Sequence, residues 1–395
     1  MKLTVLGAGP IGSAIACDLA SRPEVTHVQV CDARSGTLHA LKERLHNPKL
    51  RTVRVDVRDE RALAPVLSGS TCVVGSGDAS LNPKLAALAV GLGAHFCDLG
   101  GDDRAVQQEL ALHDTAARRS RWIVPNCGLA PGLVNVLVLH GLDRFDEVEA
   151  VTMRVGNIPV EAEAPLFHRL GYGVERLVMS YTTPAPAMEG GALRTVEPLT
   201  GLEAISFEAP FEDLEAFHTA GKLSTLPLDL QGRVQRLDYK TLRHPGHAAA
   251  MRAVLALGFG EDRSVDVRTH LSYRDLLTRR LRQRIGGTPH DAVLVRIRLD
   301  GRADGEARAL TFELVDRYDE ATGFTAMQRS TSFPAAAVAM LLATGVVPGG
   351  GAAPPERIVP PEPYFGDLAA HGLGLRQRWD DEPFEPVARS ATAEA

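Results

Sequence analysis

The chain has 395 residues, 45% of them hydrophobic and 23% charged, with a formal net charge of −6. That length is enough for two domains and a large core, and the composition is ordinary for a globular protein. The acidic balance gives no reason to expect a nucleic acid or an anionic membrane as partner, and no apolar run of about 18 residues indicates a transmembrane helix.

The opening MKLTVLGAG runs straight into a glycine-rich turn, unlike the layout of a signal peptide, so a cytoplasmic location is expected. Five cysteines, Cys17, Cys31, Cys72, Cys97 and Cys127, contain no CxxC pair and sit in apolar runs. They read as small buried hydrophobes in a reducing compartment.

KLTVL (2–6) is a short apolar strand that ends in GAGPIG, with Gly7, Gly9 and Gly12 at G-x-G-x-x-G spacing around Pro10 and Ile11. SAIACDLA continues at helical period, and HVQVC (27–31) is a second strand closed by Asp32. Strand, glycine turn, helix, strand and acid follow in the order that a dinucleotide-binding fold requires. Gly7 permits the turn, Gly9 lets a pyrophosphate approach bare backbone, and Gly12 lets the helix pack close. The helix N-terminus offers free N–H groups to phosphate. Asp32 would accept from the adenosine ribose hydroxyls and repel a 2′-phosphate, favouring NAD over NADP; Arg34 nearby works against that preference.

RTVRVDV (51–57) is a third strand, with Asp56 at its end placed towards the adenine. TCVVGSG (71–77) is a fourth, ending in Ser76 and Gly77, where ribose and nicotinamide pass close to backbone. AHFCDLGG (94–101) is a fifth, opening into Asp98, Leu99, Gly100 and Gly101, and RWIVPNCGLAPG (121–132) supplies a sixth strand and a loop. Helical segments alternate with these strands, so the sheet is parallel and doubly wound, with ligands beyond the carboxyl ends of its strands. The cofactor set is therefore Gly7, Gly9, Pro10, Ile11, Gly12, Asp32, Asp56, Ser76, Gly77, Asp98, Leu99 and Gly100.

From about residue 129 the pattern changes. A helix is expected over 129–145, then a strand, EVEAVTMRVGNIPV (147–160), and short strands at LRTVEPL and AISF. HAAAMRAVLALGF (247–259) and the basic YRDLLTRRLRQRI (273–285) read as helices. DAVLVRIRLDG and ALTFELVDRYD read as a hairpin, with TGFTAMQRST as a further strand. This is an α+β domain, 129–330, with a mostly antiparallel sheet. PAAAVAMLLATGV (334–346) is apolar all round and reads as a buried helix returning to the first domain, so 1–128 is completed by 331–395. PVARSATAEA reads as a frayed tail.

GAGPIGSAIA, AHFCDLGG, PNCGLAPGLVNVL, VGNIPV, LEAFHTAGKLSTL and LDYKTLRHPGH together resemble the saccharopine dehydrogenase-like oxidoreductases, most closely the lysine 6-dehydrogenase branch. The resemblance covers residue 1 to about 365. It implies oxidative deamination of the lysine side-chain amine by NAD, with the aldehyde cyclising to a Δ1-piperideine carboxylate. One segment departs: relatives carry an apolar-Pro-aromatic turn where this chain has GSGDASLNP, a loop expected to face the nicotinamide.

Such a reaction needs a hydride acceptor, a deprotonated amine, and a remote group that orients the substrate through its α-carboxylate. Arg243, with a planar fork that matches a carboxylate, leads the substrate set, followed by Tyr239, Lys240 and Thr241, with His218 and Thr219 from the neighbouring segment. Asp98 and His218 are the candidate bases; Asp98 could equally hold the Gly100–Gly101 turn, and with no base the free amine would bind directly. His244 and His247 have HxxH spacing but no third ligand follows, so no metal is expected. The alternatives are a saccharopine- or carboxynorspermidine-type reductase acting on a secondary amine, or an NAD-binding homologue without activity. A homodimer or higher homo-oligomer is expected, the antiparallel sheet pairing across a two-fold axis.

Overall fold

The computed structural model describes residues 1–171, 173–287 and 290–388. The described residues divide into two compact units, one of Met1–His140, Gln328–Leu375 and 386–388, the other of Gly141–Met327 with Arg376–Glu385.

The first unit is a parallel sheet of β1 (Lys2–Leu6), β2 (His27–Asp32), β3 (Leu50–Arg54), β4 (Cys72–Gly75), β5 (His95–Asp98), β6 (Trp122–Val124) and β15 (Gly351–Ala352). Their order is β15-β6-β5-β4-β1-β2-β3. This is doubly wound topology, and the strand order reverses between β1 and β4, where ligands bind in such sheets. Leu3, Val5, Val28, Val30, Val73 and Val74 are fully buried, as strands covered on both faces require. Two contacts tie the late chain segment in. Ser332 donates to the Ile11 carbonyl at 3.0 Å, and buried Arg22 bridges Asp18 at 2.7 Å and Asp367 at 2.9 Å.

The second unit is a mixed sheet of β7 (Glu147–Pro159), β8 (Ala185–Glu189), β9 (Ala192–Val196), β10 (Glu203–Ile205), β11 (Leu214–His218), β12 (Arg236–Arg243), β13 (Asp291–Ala303), β14 (Glu306–Arg317), β16 (Arg376–Trp379) and β17 (Glu385–Pro386). The main path is β10-β11-β12-β7-β13-β14-β16-β17, with β8 and β9 branching from β12. Among the described residues β12 pairs with β7 in parallel, and β10–β11, β11–β12, β12–β8, β8–β9, β7–β13, β13–β14 and β14–β16 pair antiparallel. One face is covered by the helices Val174–Thr182, His247–Val254 and Tyr273–Arg284, whose Leu177, Tyr181, Met251 and Leu281 pack with Phe217 of β11. The opposite face has its own core of Ile158, Phe207, Phe211, Ala216, Leu242 and Leu294.

Three expectations change. TGFTAMQRST is no strand: the helix Ala326–Ala343 begins inside it, because the Asp291 carboxylate accepts from the Ala326 and Met327 N–H groups at 2.6 and 3.1 Å and caps that end. The helix expected over 129–145 is shorter, Leu133–Leu142. Arg376–Trp379 pairs with β14 in the second unit's sheet, so the segment after 331 does not lie wholly with the first. The tail at 389–395 lies outside the described residues.

Candidate active site

In the first unit the glycine turn is built as a phosphate cradle. Gly7 has φ +110°, which favours glycine. A Cβ on Gly12 would meet the Gly7 carbonyl oxygen at 2.0 Å and Ser76 Oγ at 2.5 Å, so only glycine lets the helix Pro10–Ser21 approach the turn. A Cβ on Gly9 would meet nothing within 4 Å: the space beside that helix end is open, as a pyrophosphate requires. Pro10 opens the helix and Ile11 is in its first turn. Ser76 Oγ is turned inward and donates to the Leu6 and Gly7 carbonyls at 3.0 and 3.2 Å, so its side chain holds the turn.

A cavity of about 300 Å³ opens beside the turn, walled by Gly7, Asp32, Arg34, Asp56, Val57 and Leu85 among others. Asp32 is the fixed element in it. Its Oδ2 accepts from the Ala8 N–H at 3.0 Å and its Oδ1 from the Arg34 N–H at 2.8 Å. Burial pushes the Asp32 carboxyl up, but these two N–H groups and the Arg34 side chain outweigh it and hold it below the ordinary range. Asp56 is ion-paired to Arg58 at 2.7 Å, and both the Arg34 and Arg58 side chains are largely exposed. Gly77, Asp78, Leu81 and Asn82 line this same cavity. Part of the GSGDASLNP loop thus borders the cavity that Asp32 walls.

Asp98 is fully buried at the end of β5. Its Oδ1 accepts from the Gly100 N–H at 2.6 Å, which is the turn-holding role. Gly100 has φ +65°, and a Cβ there would fall 2.0 Å from Asn126 Oδ1. Leu99 is half-buried between them. Sequence reasoning missed the partner of Asp98: Glu109, also fully buried, on the helix Asp103–Leu110. Two carboxylates can only accept, so a hydrogen bond joins them when one carries a proton. Burial and then the Asp98 charge push Glu109 up to about 12, so the proton sits there. A carboxylate sealed in this way is no base for a substrate, which corrects that reading of Asp98.

In the second unit the sequence-predicted substrate residues divide between two faces. Side chains alternate along a strand, and the register pairs His218 with Lys240, Phe217 with Thr241 and Glu215 with Arg243. Asp238, Lys240 and His218 therefore share one face. Tyr239, Thr241 and Arg243 share the other, which is the face of Phe217 and the covering helices.

The first of these faces is an ion network. Arg154 of β7 donates to Glu203 at 3.2 Å through Nη2 and to Asp238 at 2.7 Å. Lys240 Nζ donates to Glu203 Oε2 at 2.6 Å, and His218 Nε2 is 2.9 Å from Asp238 Oδ1. Burial would raise both acids, yet both sit below the ordinary range: the Arg154 and Lys240 bonds outweigh it at Glu203, and the His218 bond with Arg154 and Lys240 at Asp238. Lys240 and His218 are thus committed to acids of the protein, on the face away from Arg243. This corrects their assignment to a substrate set with Arg243 and the reading of His218 as its base. Charged Arg154 inside the apolar run VTMRVGN was the signal that a partner waited across the sheet.

On the helix-covered face, Arg243 is 1% exposed, and its Nη1 donates to the Leu242 carbonyl at 2.7 Å. Thr219 and Thr241 join their hydroxyls at 2.6 Å, and Tyr239 is buried. Glu215, opposite Arg243 in register, accepts from the Gly246 and Ala248 N–H groups at 2.9 and 2.6 Å at the start of the helix His247–Val254. The HxxH residues have structural partners: His244 is bonded to the Pro159 carbonyl at 2.9 Å and His247 to the Leu166 carbonyl at 2.6 Å. Among the described residues, no group of three or more His, Cys, Asp or Glu could hold a metal. Burial first, then the Arg243 charge, push His247 down to about 3.

A chain that combines a parallel dinucleotide sheet with this glycine turn and a mixed α+β unit fits a nicotinamide-dependent oxidoreductase. Residues 3–124 match the saccharopine dehydrogenase NADP binding domain and residues 128–373 the saccharopine dehydrogenase C-terminal domain, and the chain belongs to that family of NAD(P)-dependent dehydrogenases. Among solved structures it is similar to the L-Glu-forming saccharopine dehydrogenase of Saccharomyces cerevisiae, at 17% identity and a TM-score of 0.79 over 96% of this chain and 99% of that one. It is also similar to the homospermidine synthase of Legionella pneumophila, solved with NAD, at 10% identity and a TM-score of 0.69 over 96% and 92%. At these identities the likeness establishes the fold. No helix among the described residues is long and apolar enough to cross a membrane.

Proposed function

We propose that the protein oxidises the side-chain amine of L-lysine to an imine with NAD, giving NADH; water hydrolyses the imine to ammonia and the 6-semialdehyde, which cyclises with loss of water to Δ1-piperideine-6-carboxylate. The observation that carries this reading is the buried positive charge of Arg243 on the helix-covered face. Burial first, then the Arg243 charge, depress both His168 and His247, so the face holds a fixed cation together with neutral rings. Such a site favours a carboxylate, and the Thr219–Thr241 pair and Tyr239 supply neutral hydroxyls beside it. When bound, NAD accepts the hydride; the glycine turn and Asp32 would hold its pyrophosphate and adenosine ribose. The ionised Asp32 disfavours a 2′-phosphate, which supports NAD over NADP.

The amine must be neutral to expel hydride. With Asp98 sealed against Glu109 and His218 bonded to Asp238 on the other face, we assign no protein base: the free amine binds directly. The rate at low lysine concentration then rises tenfold per pH unit until the amine pKa, about 10.4. We further propose that the enzyme acts as a homo-oligomer on this small-molecule substrate, without nucleic acid or membrane partners.

NADH formation from NAD is to be measured with lysine, saccharopine and carboxynorspermidine in parallel. Turnover of lysine supports the proposal, and turnover of a secondary amine in its place overturns it. Tight NAD binding with silence on all three would identify a homologue without this activity. Arg243→Ala should raise the KM for lysine far more than that for NAD; equal effects on both would remove Arg243 from the site.

A further inference from the structure

Resting on the reading of Arg243 as the carboxylate anchor, we propose that His168 is a second substrate-contacting residue, its imidazole donating one N–H to the carboxylate that Arg243 holds. His168 lies in the segment between β7 and the helix Val174–Thr182 and is 2% exposed. Both of its ring nitrogens are buried, and neither has a hydrogen-bond partner among the described residues. A neutral imidazole carries one donor and one acceptor, and sealing both without partners is costly. Such a group in a native fold marks a place where something outside the protein completes the bonding.

The neighbours narrow what that is. His168 packs edge-on against His247, ring centroids 5.3 Å apart. His247 cannot serve it. One His247 nitrogen bonds to the Leu166 carbonyl at 2.6 Å, which only a ring N–H can do, and the other is 2.9 Å from the Tyr181 hydroxyl. Phe217 stacks on His247 at 6.2 Å, and Phe217 is paired across the strands with Thr241. His168 therefore lies on the face of Arg243 and Thr241, away from the Arg154 ion network. Burial first, then the charge of Arg243, hold its ring in the neutral form. Neutral His168, on the same face as cationic Arg243, is an N–H donor, and the ligand chemistry that suits both is an anion with two oxygens.

The test measures binding in the presence of NADH, so it does not depend on turnover. The ligands are lysine, saccharopine and glutamate, together with 1,5-diaminopentane, which is lysine without its carboxylate. His168→Phe should weaken the best-binding amino acid roughly 10- to 100-fold, the worth of a hydrogen bond to a charged group. It should leave NADH affinity and 1,5-diaminopentane binding unchanged. His168→Asn, which keeps an N–H, should recover part of the loss. Equal weakening of ligands with and without a carboxylate would show a packing role and overturn the inference. So would unchanged lysine binding in His168→Phe, which would leave the lysine reading intact. Binding of glutamate or saccharopine in place of lysine, still sensitive to His168, would overturn the lysine reading alone. Failure of the wild-type protein to bind any of the carboxylates would overturn both.

Discussion

Glu109→Gln should stabilise the first unit, by an amount that grows with pH. Glu109 has an ordinary value of 4.5 and is pushed up to about 12 in the folded protein. Between those limits the folded state holds a proton that the unfolded state lacks, so stability falls as pH rises, by about 1.4 kcal/mol per unit. From 4.5 to pH 7 that sums to a penalty of about 3 kcal/mol, an upper figure because the carboxyls of Glu109 and Asp98 titrate as a pair. A glutamine keeps the shape and donates an N–H to Asp98 Oδ2 at every pH, so the penalty disappears. Urea unfolding of both proteins, each carrying Trp379→Phe so that Trp122 of β6 alone reports, at pH 5.5, 6.5, 7.5 and 8.5 measures the difference directly. Glu109→Leu is the control: it removes the donor, strands Asp98 Oδ2 and should cost about 1–3 kcal/mol. A Glu109→Gln advantage that stays constant across pH, or has the opposite sign, would refute the shared proton.

Two further substitutions test the site. Asp32→Ala removes the acceptor that fixes the Ala8 and Arg34 N–H groups; NAD affinity should fall and discrimination against NADP relax, and steady-state kinetics with both cofactors would show it. Lys240→Met strips one cation from Glu203 and should cost about 1–3 kcal/mol. Because Lys240 lies on the face away from Arg243, the KM for the amino acid should hold once the protein is folded. A rise as large as that from Arg243→Ala would undo the division of the sheet into two faces.

The first unit was legible in the sequence because its signals are local. The glycine spacing, Asp32 closing β2 and the apolar strands each constrain the backbone within a few residues. The Asp98–Glu109 pair was not legible, since nothing in a helical QQEL says which carboxyl it will face. In the second unit, the segments LEAFH and LDYKTLR were grouped as one set of site residues but not read as strands, and they are neighbouring antiparallel strands. Their residues were wrongly pooled, because the pooling ignored the two-residue period of a strand. That period alone separates Lys240 from Thr241 and His218 from Thr219. The identities of Glu203 and Arg154 as partners depended on the order of strands in the sheet, which no local pattern carries. His168 offered no signal at all: a lone histidine in LFHRL is conspicuous only once its nitrogens are found without partners.

The two units carry buried groups with opposite linkage to pH. In the first, Glu109 binds a proton on folding, so stability is greatest in acid and declines above pH 4.5. In the second, His247 has an ordinary value of 6.5 and sits at about 3 when folded. Here the unfolded state binds the extra proton, so stability is complete above 6.5 and is lost as pH falls towards 3, by about 2 kcal/mol at pH 5. His168 is depressed in the same direction and adds to the loss. The chain has two tryptophans, and each unit has one, Trp122 in β6 and Trp379 in β16. Unfolding followed in Trp122→Phe and Trp379→Phe should therefore show the second unit weakening first at pH 5 and the first unit losing ground at pH 9. If the difference between the two midpoints stays constant across that range, the buried acid and the buried histidines do not govern stability as their surroundings indicate.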